Sequence, residues 1–131
     1  RLASLRLAQA AEHLVLLGNA ANQGAMDELR RVGGEIYLAA LRPNMIEMAA
    51  EVGDGVIFNL WPKGALPKMM EHVRIGAARA GKNWQDVEIV NRAMVLVTDD
   101  KPAARNLFRA AFGPYYATPV YNAFLAWAGY E

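Results

Sequence analysis

The chain has 131 residues, 54% hydrophobic and 21% charged, which is enough for one domain with a sizeable core and too little for two. Fourteen Lys and Arg against thirteen Asp and Glu leave a formal charge of +1, so composition argues against a nucleic-acid-binding module with a broad positive field. No apolar run reaches the roughly 18 to 20 residues of a membrane span, and with no cysteine and only His13 and His72 there is little for thiol chemistry or a zinc site.

From Leu2 to Leu17, the apolar positions Leu2, Leu5, Ala8, Ala11, Val15 and Leu16 recur every three or four residues, the stripe of an amphipathic helix, with Gly18-Asn19 as its stop. A weaker helix is predicted from Ala25 to Val32, with Met26, Leu29 and Val32 on one side, ended by Gly33-Gly34. Residues 1–34 therefore read as a helical hairpin. Ile36-Tyr37-Leu38-Ala39-Ala40 is a short apolar run of the buried-strand kind. Pro43 suits a first helical turn, and Met45, Ile46, Met48, Ala49 and Val52 give that helix an apolar face. Val56 to Leu60 forms the second predicted strand, and a helix with Leu66, Met69, Met70, Val73, Ala77 and Ala80 on one stripe follows, closed by Gly81.

The third strand is predicted from about Val87 to Val97, with Ala93 to Val97 buried on both faces. Thr98-Asp99-Asp100 offers capping side chains for a helix running to Phe112, and a last helical segment is expected from Pro114 to Tyr130 after a break at Gly113. Strand alternating with helix means a parallel sheet and an α/β class. The expected organisation is a hairpin over 1–34, a β/α unit over 35–100 and an aromatic helical segment over 101–131.

The turn from the first strand into its helix is the most informative candidate site. Ala39 and Ala40 are small enough to admit a ligand near the backbone, and Leu41, Arg42 and Pro43 open a helix whose free amides suit an anion. Arg42 adds a charged fork; Pro43, lacking an amide hydrogen, only fixes the turn. Against this stands an ordinary strand-to-helix turn carrying a solvated arginine. Gly53-Asp54-Gly55 leaves a helix and enters a strand, the reverse of a dinucleotide fingerprint, and reads as a tight turn. Asn59 lies at a strand's carboxyl end, where parallel sheets place ligand-binding groups, with loop packing as the alternative. Asp99 and Asp100 read as helix caps, His13 and His72 as structural, and Met45, Met48, Met69 and Met70 as core filler. Eight of the twelve aromatics fall between Phe108 and Tyr130, as core, ligand wall or subunit interface.

Three segments, IYLAALRPNMIEMAAEVGDGVIFN, EHVRIGAARAGKNWQDVEIVNRAMVLVTDD and AARNLFRAAFGPYYATPVYNAFLAWAGYE, together resemble the luciferase-like family of flavin- and deazaflavin F420-dependent oxidoreductases. The resemblance rests on a strand ending in two alanines, a short step to Pro, a helix, Asp-Gly and a further strand, and it extends over nearly three quarters of the chain.

The resemblance implies a TIM-type (β/α)8 barrel, present here as a partial barrel of about three strands, with FMN or coenzyme F420 held at the strands' carboxyl ends. The family's loop toward the cofactor's phosphate-bearing tail falls on Ala40, Leu41 and Arg42, where many relatives carry glycine at one of the last two positions. Asn59 matches a position near the flavin or substrate, and the aromatic tail matches the start of an inserted segment near the substrate pocket and dimer contact. A complete barrel takes about 250 residues; the family's early strands, with its usual acid or base histidine, have no counterpart, so no catalytic residue is assigned. The chain opens at Arg1 without a Met and is expected to be the later half of a cytoplasmic oxidoreductase or monooxygenase. Such an enzyme would act on a small molecule as a homo-oligomer. The alternative is a stand-alone half-barrel that binds or assembles without catalysis.

Overall fold

The computed structural model describes residues 20–130; the predicted helix over 2–17, its stop and His13 lie outside them. The chain runs α1 (Ala20–Arg31), β1 (Tyr37–Ala39), α2 (Pro43–Val52), β2 (Gly55–Asn59), α3 (Leu66–Arg79), β3 (Glu88–Arg92), α4 (Lys101–Tyr116) and α5 (Pro119–Ala128). The three strands form one parallel sheet in the order β1-β2-β3. Among the described residues no helix is long and apolar enough to cross a membrane.

Alternation along the strands assigns their two faces. Leu38, Val56 and Ile89 stand at one level of the ladder and pack with Phe58 into a core completed by Ile46, Ala49 and Ala50 of α2 and Met69, Val73 and Ala77 of α3. The other face carries Ala39, Ile57 and Val90 in register; Ala39 is exposed and its two neighbours are half-buried. One face is thus closed by helices, while on the other, among the described residues, Ala39 stays open and Ile57 and Val90 are only half covered, an arrangement that fits a partial barrel.

Contact between α2 and α3 is close because Gly76 lacks a side chain: a Cβ there would collide with the backbone of Glu47. That approach draws the Glu47 carboxylate into a half-charged, half-aromatic seam. Its Oε1 lies 2.6 Å from His72 Nδ1 and its Oε2 lies 2.6 Å from Arg79 Nη2. The His72 hydrogen bond holds the Glu47 carboxyl below its usual range, against the upward pull of burial and with help from the Arg79 charge. On its other side the His72 ring meets Trp127 of α5 at 5.6 Å, and Lys68 Nζ donates to the Trp127 carbonyl at 2.5 Å. Through this seam α5 is fastened to α3.

Asp54 does for the sheet what no glycine motif could. Its Oδ2 accepts from the Ile36 amide at 2.8 Å and its own amide donates to the Ile36 carbonyl at 2.7 Å, so Gly53-Asp54-Gly55 is the tight turn the sequence predicts, pinned to the start of β1. At this end of the sheet the Tyr37 hydroxyl sits between the carboxylates of Glu88 and Glu35, which push its ionisation upward, Glu88 the more.

Four expectations are corrected. The third strand ends at Arg92, and Ala93 to Val97 is neither strand nor buried: Val95 is 82% and Val97 94% exposed. Asn59, the last residue of β2, pairs with Arg92, and Leu60 then turns away with φ 49°, so the following residues of the third run have no ladder partner. Helix α4 passes through Gly113-Pro114 instead of breaking there. Pro114 forfeits one amide while the Gly113 carbonyl still accepts from Ala117. The break falls at Thr118, held extended (φ −69°, ψ 146°) by Pro119. Helix α1 is already formed at Ala20, the first described residue and five residues before the predicted start at Ala25. Met45 and Met48 are exposed, whereas Met69 is core as expected, because the α2 face toward the sheet is taken by Ile46, Ala49 and Ala50.

A carboxylate whose folded-state ionisation is depressed stabilises the fold above its unfolded value, near 4.5 for Glu47, and that contribution fades as pH falls through the folded value. Urea midpoints measured from pH 6 downward should therefore drop through the acid range with a slope that Glu47→Gln reduces. An unchanged slope would place the acid sensitivity elsewhere.

Candidate functional site at the carboxyl ends of the strands

Each strand delivers its last side chains to one rim. After Ala39 the ladder continues for one more bond, Ala40 N to Ile57 O at 3.1 Å, which places Leu41 and Arg42 beside the end of β2. Ala40 is buried and Leu41 half-buried, while Arg42 is exposed and serves as N-cap of α2 in an extended conformation (φ −106°, ψ 160°). Its side chain makes no capping hydrogen bond, so the first-turn amides after Pro43 keep no intrahelical acceptor. The predicted loop residues Ala40, Leu41 and Arg42 are thus brought together with a charged group and free donors at one helix start.

Asn59 stands at the end of β2 on the half-covered side of the sheet. Its Nδ2 donates to the Tyr121 hydroxyl of α5 at 2.9 Å, and its Oδ1 is buried without a hydrogen-bond partner. A buried acceptor left unpaired costs about 1–3 kcal/mol, so among the described residues the pairing of this amide is incomplete. Sequence reasoning singled out Asn59 and missed Tyr121, whose partner lies 62 residues away; only the crowding of tyrosines in the tail hinted at it.

Beyond Asn59, Leu60 is a non-glycine residue in the left-handed region, and among the described residues it is the only one besides glycines with positive φ. The Tyr116 hydroxyl donates to its carbonyl at 3.2 Å. This kink swings Trp61 toward β3, where its Nε1 donates to Asn91 Oδ1 at 2.8 Å, and the indole meets Phe58 edge-on at 6.4 Å. Tyr116 and Tyr121 stand at 81° to each other, 5.9 Å apart; burial, then the neighbouring Tyr121, raises the Tyr116 ionisation. Of the aromatic tail only Phe124 is fully buried. Phe108, Phe112 and Tyr116 line an apolar groove of about 820 Å³ that runs past Met94 and Leu96.

A family model for luciferase-like monooxygenases matches residues 6–131. The chain belongs to that family. Among curated proteins it is similar to a 5,10-methylenetetrahydromethanopterin reductase of Archaeoglobus fulgidus, 36% identical over 74 residues, which are 56% of this chain and 22% of the relative. It is also similar to the reductase of the same name from Methanolobus tindarius, 30% identical over 71 residues, 54% of this chain and again 22% of the relative. The matched stretch spans under a quarter of each relative's length. Membership agrees with the three-stranded parallel sheet and its helix-covered face, and the family is one of oxidoreductases.

The bond between Asn59 and Tyr121 has a measurable signature. Tyr121→Phe leaves both ends of a buried amide unsatisfied and should cost about 1–3 kcal/mol in urea unfolding. Adding Asn59→Ala should return part of that loss, because the orphaned Oδ1 goes too. A double-mutant cycle in which the two losses simply add would mean that the pair is not coupled.

Proposed function

We propose that this chain forms the cofactor-tail side of an F420- or FMN-dependent oxidoreductase acting on a small molecule, with the anionic tail held at Ala40, Leu41 and Arg42 and with Asn59 facing the cofactor or substrate. What supports this reading most is the orphaned, buried Asn59 Oδ1 at the same rim as the uncapped start of α2. One is an acceptor held without a partner and the other a set of donors without acceptors, and the carboxyl ends of parallel strands are where β/α barrels place their ligand-binding groups. Their chemistry suits a ligand with an anionic end and an N–H or O–H donor. When bound, F420 or FMN supplies the two-electron redox step. The residues of this chain position it: the α2 amides and the Arg42 guanidinium hold the anion, buried Ala40 leaves the backbone approachable, and Asn59, braced by Tyr121, presents an oriented acceptor. The matched relatives are reductases by name, which favours transfer to an organic acceptor over oxygen chemistry for the whole protein.

The test is cofactor titration. Arg42→Ala should weaken binding of F420 or FMN by about 1.5–3 kcal/mol if its contact is a charge-assisted hydrogen bond, roughly ten- to 150-fold in Kd. Unchanged affinity would remove Arg42 from the site.

Self-association belongs to the same reading. The half-covered sheet face, together with exposed Val95, Val97 and Leu107, presents apolar surface that a second copy would cover. Light scattering of the 131-residue chain should give a dimer or larger species; a monodisperse 14.4 kDa particle at high concentration would refute it.

A further inference from the structure

Beside Asn59, but facing β3, lies a second cleft of about 280 Å³ whose wall includes Leu60, Trp61, Lys63, Asn91, Arg92 and Tyr116. None of its polar residues belongs to the cofactor-tail loop. Three observations set it apart from an ordinary surface hollow. Its flat wall is fixed: the Trp61 indole is tied to Asn91 and braced edge-on by Phe58. Its entrance is shaped by backbone in an unfavourable conformation, Leu60 at φ 49°, held by the Tyr116 hydroxyl on the Leu60 carbonyl; strain of that kind persists where the surroundings enforce it and gathers at functional sites. Its two charges have one sign, and among the described residues neither Lys63 nor Arg92 has an ion-pair partner.

We propose that this cleft binds the carboxylate of a flat, unsaturated ligand, with the carboxylate between Arg92 and Lys63 and the ring against Trp61. A guanidinium fork matches the two oxygens of a carboxylate in one plane, and an ammonium adds a point charge beside them. An indole held rigid offers a face to a ring at little entropic cost. The cleft shares Met94, Phe108 and Tyr116 with the larger apolar groove, so the ligand's uncharged body has an apolar continuation. This proposal rests on the reading of the strands' carboxyl ends as a ligand-binding rim and gives the substrate of that rim its chemical class, an anionic one.

Benzoate is the probe, benzamide its neutral twin and inorganic phosphate the control for an anion without a ring. The readout is the indole N–H cross-peak of Trp61 in a proton–nitrogen correlation spectrum, identified by its loss in Trp61→Phe. Benzoate should move that peak in a saturable way, at least tenfold more tightly than benzamide. Arg92→Gln and Lys63→Gln should each weaken it, the first by tenfold or more, while Arg74→Gln, a cation set over Trp84 instead, leaves it unchanged. No movement of the peak, equal binding of benzamide, or phosphate binding as tightly as benzoate overturns the proposal, as does a benzoate affinity indifferent to both cleft substitutions. Because neither F420, FMN nor Arg42 enters the experiment, its outcome is separate from that of the cofactor titration.

Discussion

The close approach of α3 to α2, made possible at Gly76, is the constraint from which the rest of the structure follows. With a Cβ at that position the two helices would part at the Glu47 backbone, and the Glu47 carboxylate would lose the positions from which it reaches both His72 and Arg79. His72 is then the pivot: one side of its ring answers a carboxylate and the other meets Trp127, so the helix pair also fixes α5. Because α5 also carries Tyr121, one helix joins the His72 seam to the Asn59 amide. A buried carboxylate of this kind is a costly element unless both oxygens are paired, and here they are.

The sheet adds a second, electrostatic organisation. Glu35, Asp54 and Glu88 gather at the amino ends of the strands, while Arg42, Lys63 and Arg92 gather at the carboxyl ends. A net charge of +1 hides this separation. Acidic residues at the amino end have local partners, Asp54 in the Ile36 amide and Glu35 and Glu88 in the Tyr37 hydroxyl, so that end is closed by its own hydrogen bonds. The cations at the other end make no ion pair among the described residues. Like charges gathered at one end raise the local concentration of anions there, which is the electrostatic basis for proposing an anionic ligand at that end.

Much of the fold was legible because it rests on local signals. Apolar runs bracketed by glycine and proline placed β1 and β2 closely, and the helix starts at Pro43 and Asp100 followed from side chains whose effect is confined to one turn; Asp100 Oδ1 does accept from the Ala103 amide. What failed depended on distant partners. Ala93 to Val97 has the composition of a buried strand, but a strand needs a neighbour, and the turn at Leu60 removes it. Gly113 looked like a helix break with Pro114 opening the next segment, and yet the end is set by Pro119, whose ring restricts Thr118. Within the candidate site, Ala40, Leu41, Arg42 and Asn59 were legible as strand-end residues. The Tyr121 brace, the Trp61–Asn91 tie and the orphaned Asn59 Oδ1 were not, since each is a tertiary coincidence with no local signature.

Leu60 connects these threads. Its φ of 49° would be relieved by glycine, at no steric cost to the turn, so a leucine there is maintained by the contacts around it. The Tyr116 hydroxyl holds its carbonyl, and the core receives Phe58 on one side of it while Trp61 is carried across to Asn91 on the other. The kink ends the ladder of β2 at Asn59, and Pro62, which has no amide hydrogen to give a central strand, keeps β2 from running on beside Ala93 to Val97. The hydrogen bonds of Tyr116 to the Leu60 carbonyl and of Trp61 to Asn91 then fix the path of the chain across the end of the sheet, so that the strand stop and the wall of the rim are made by the same few residues.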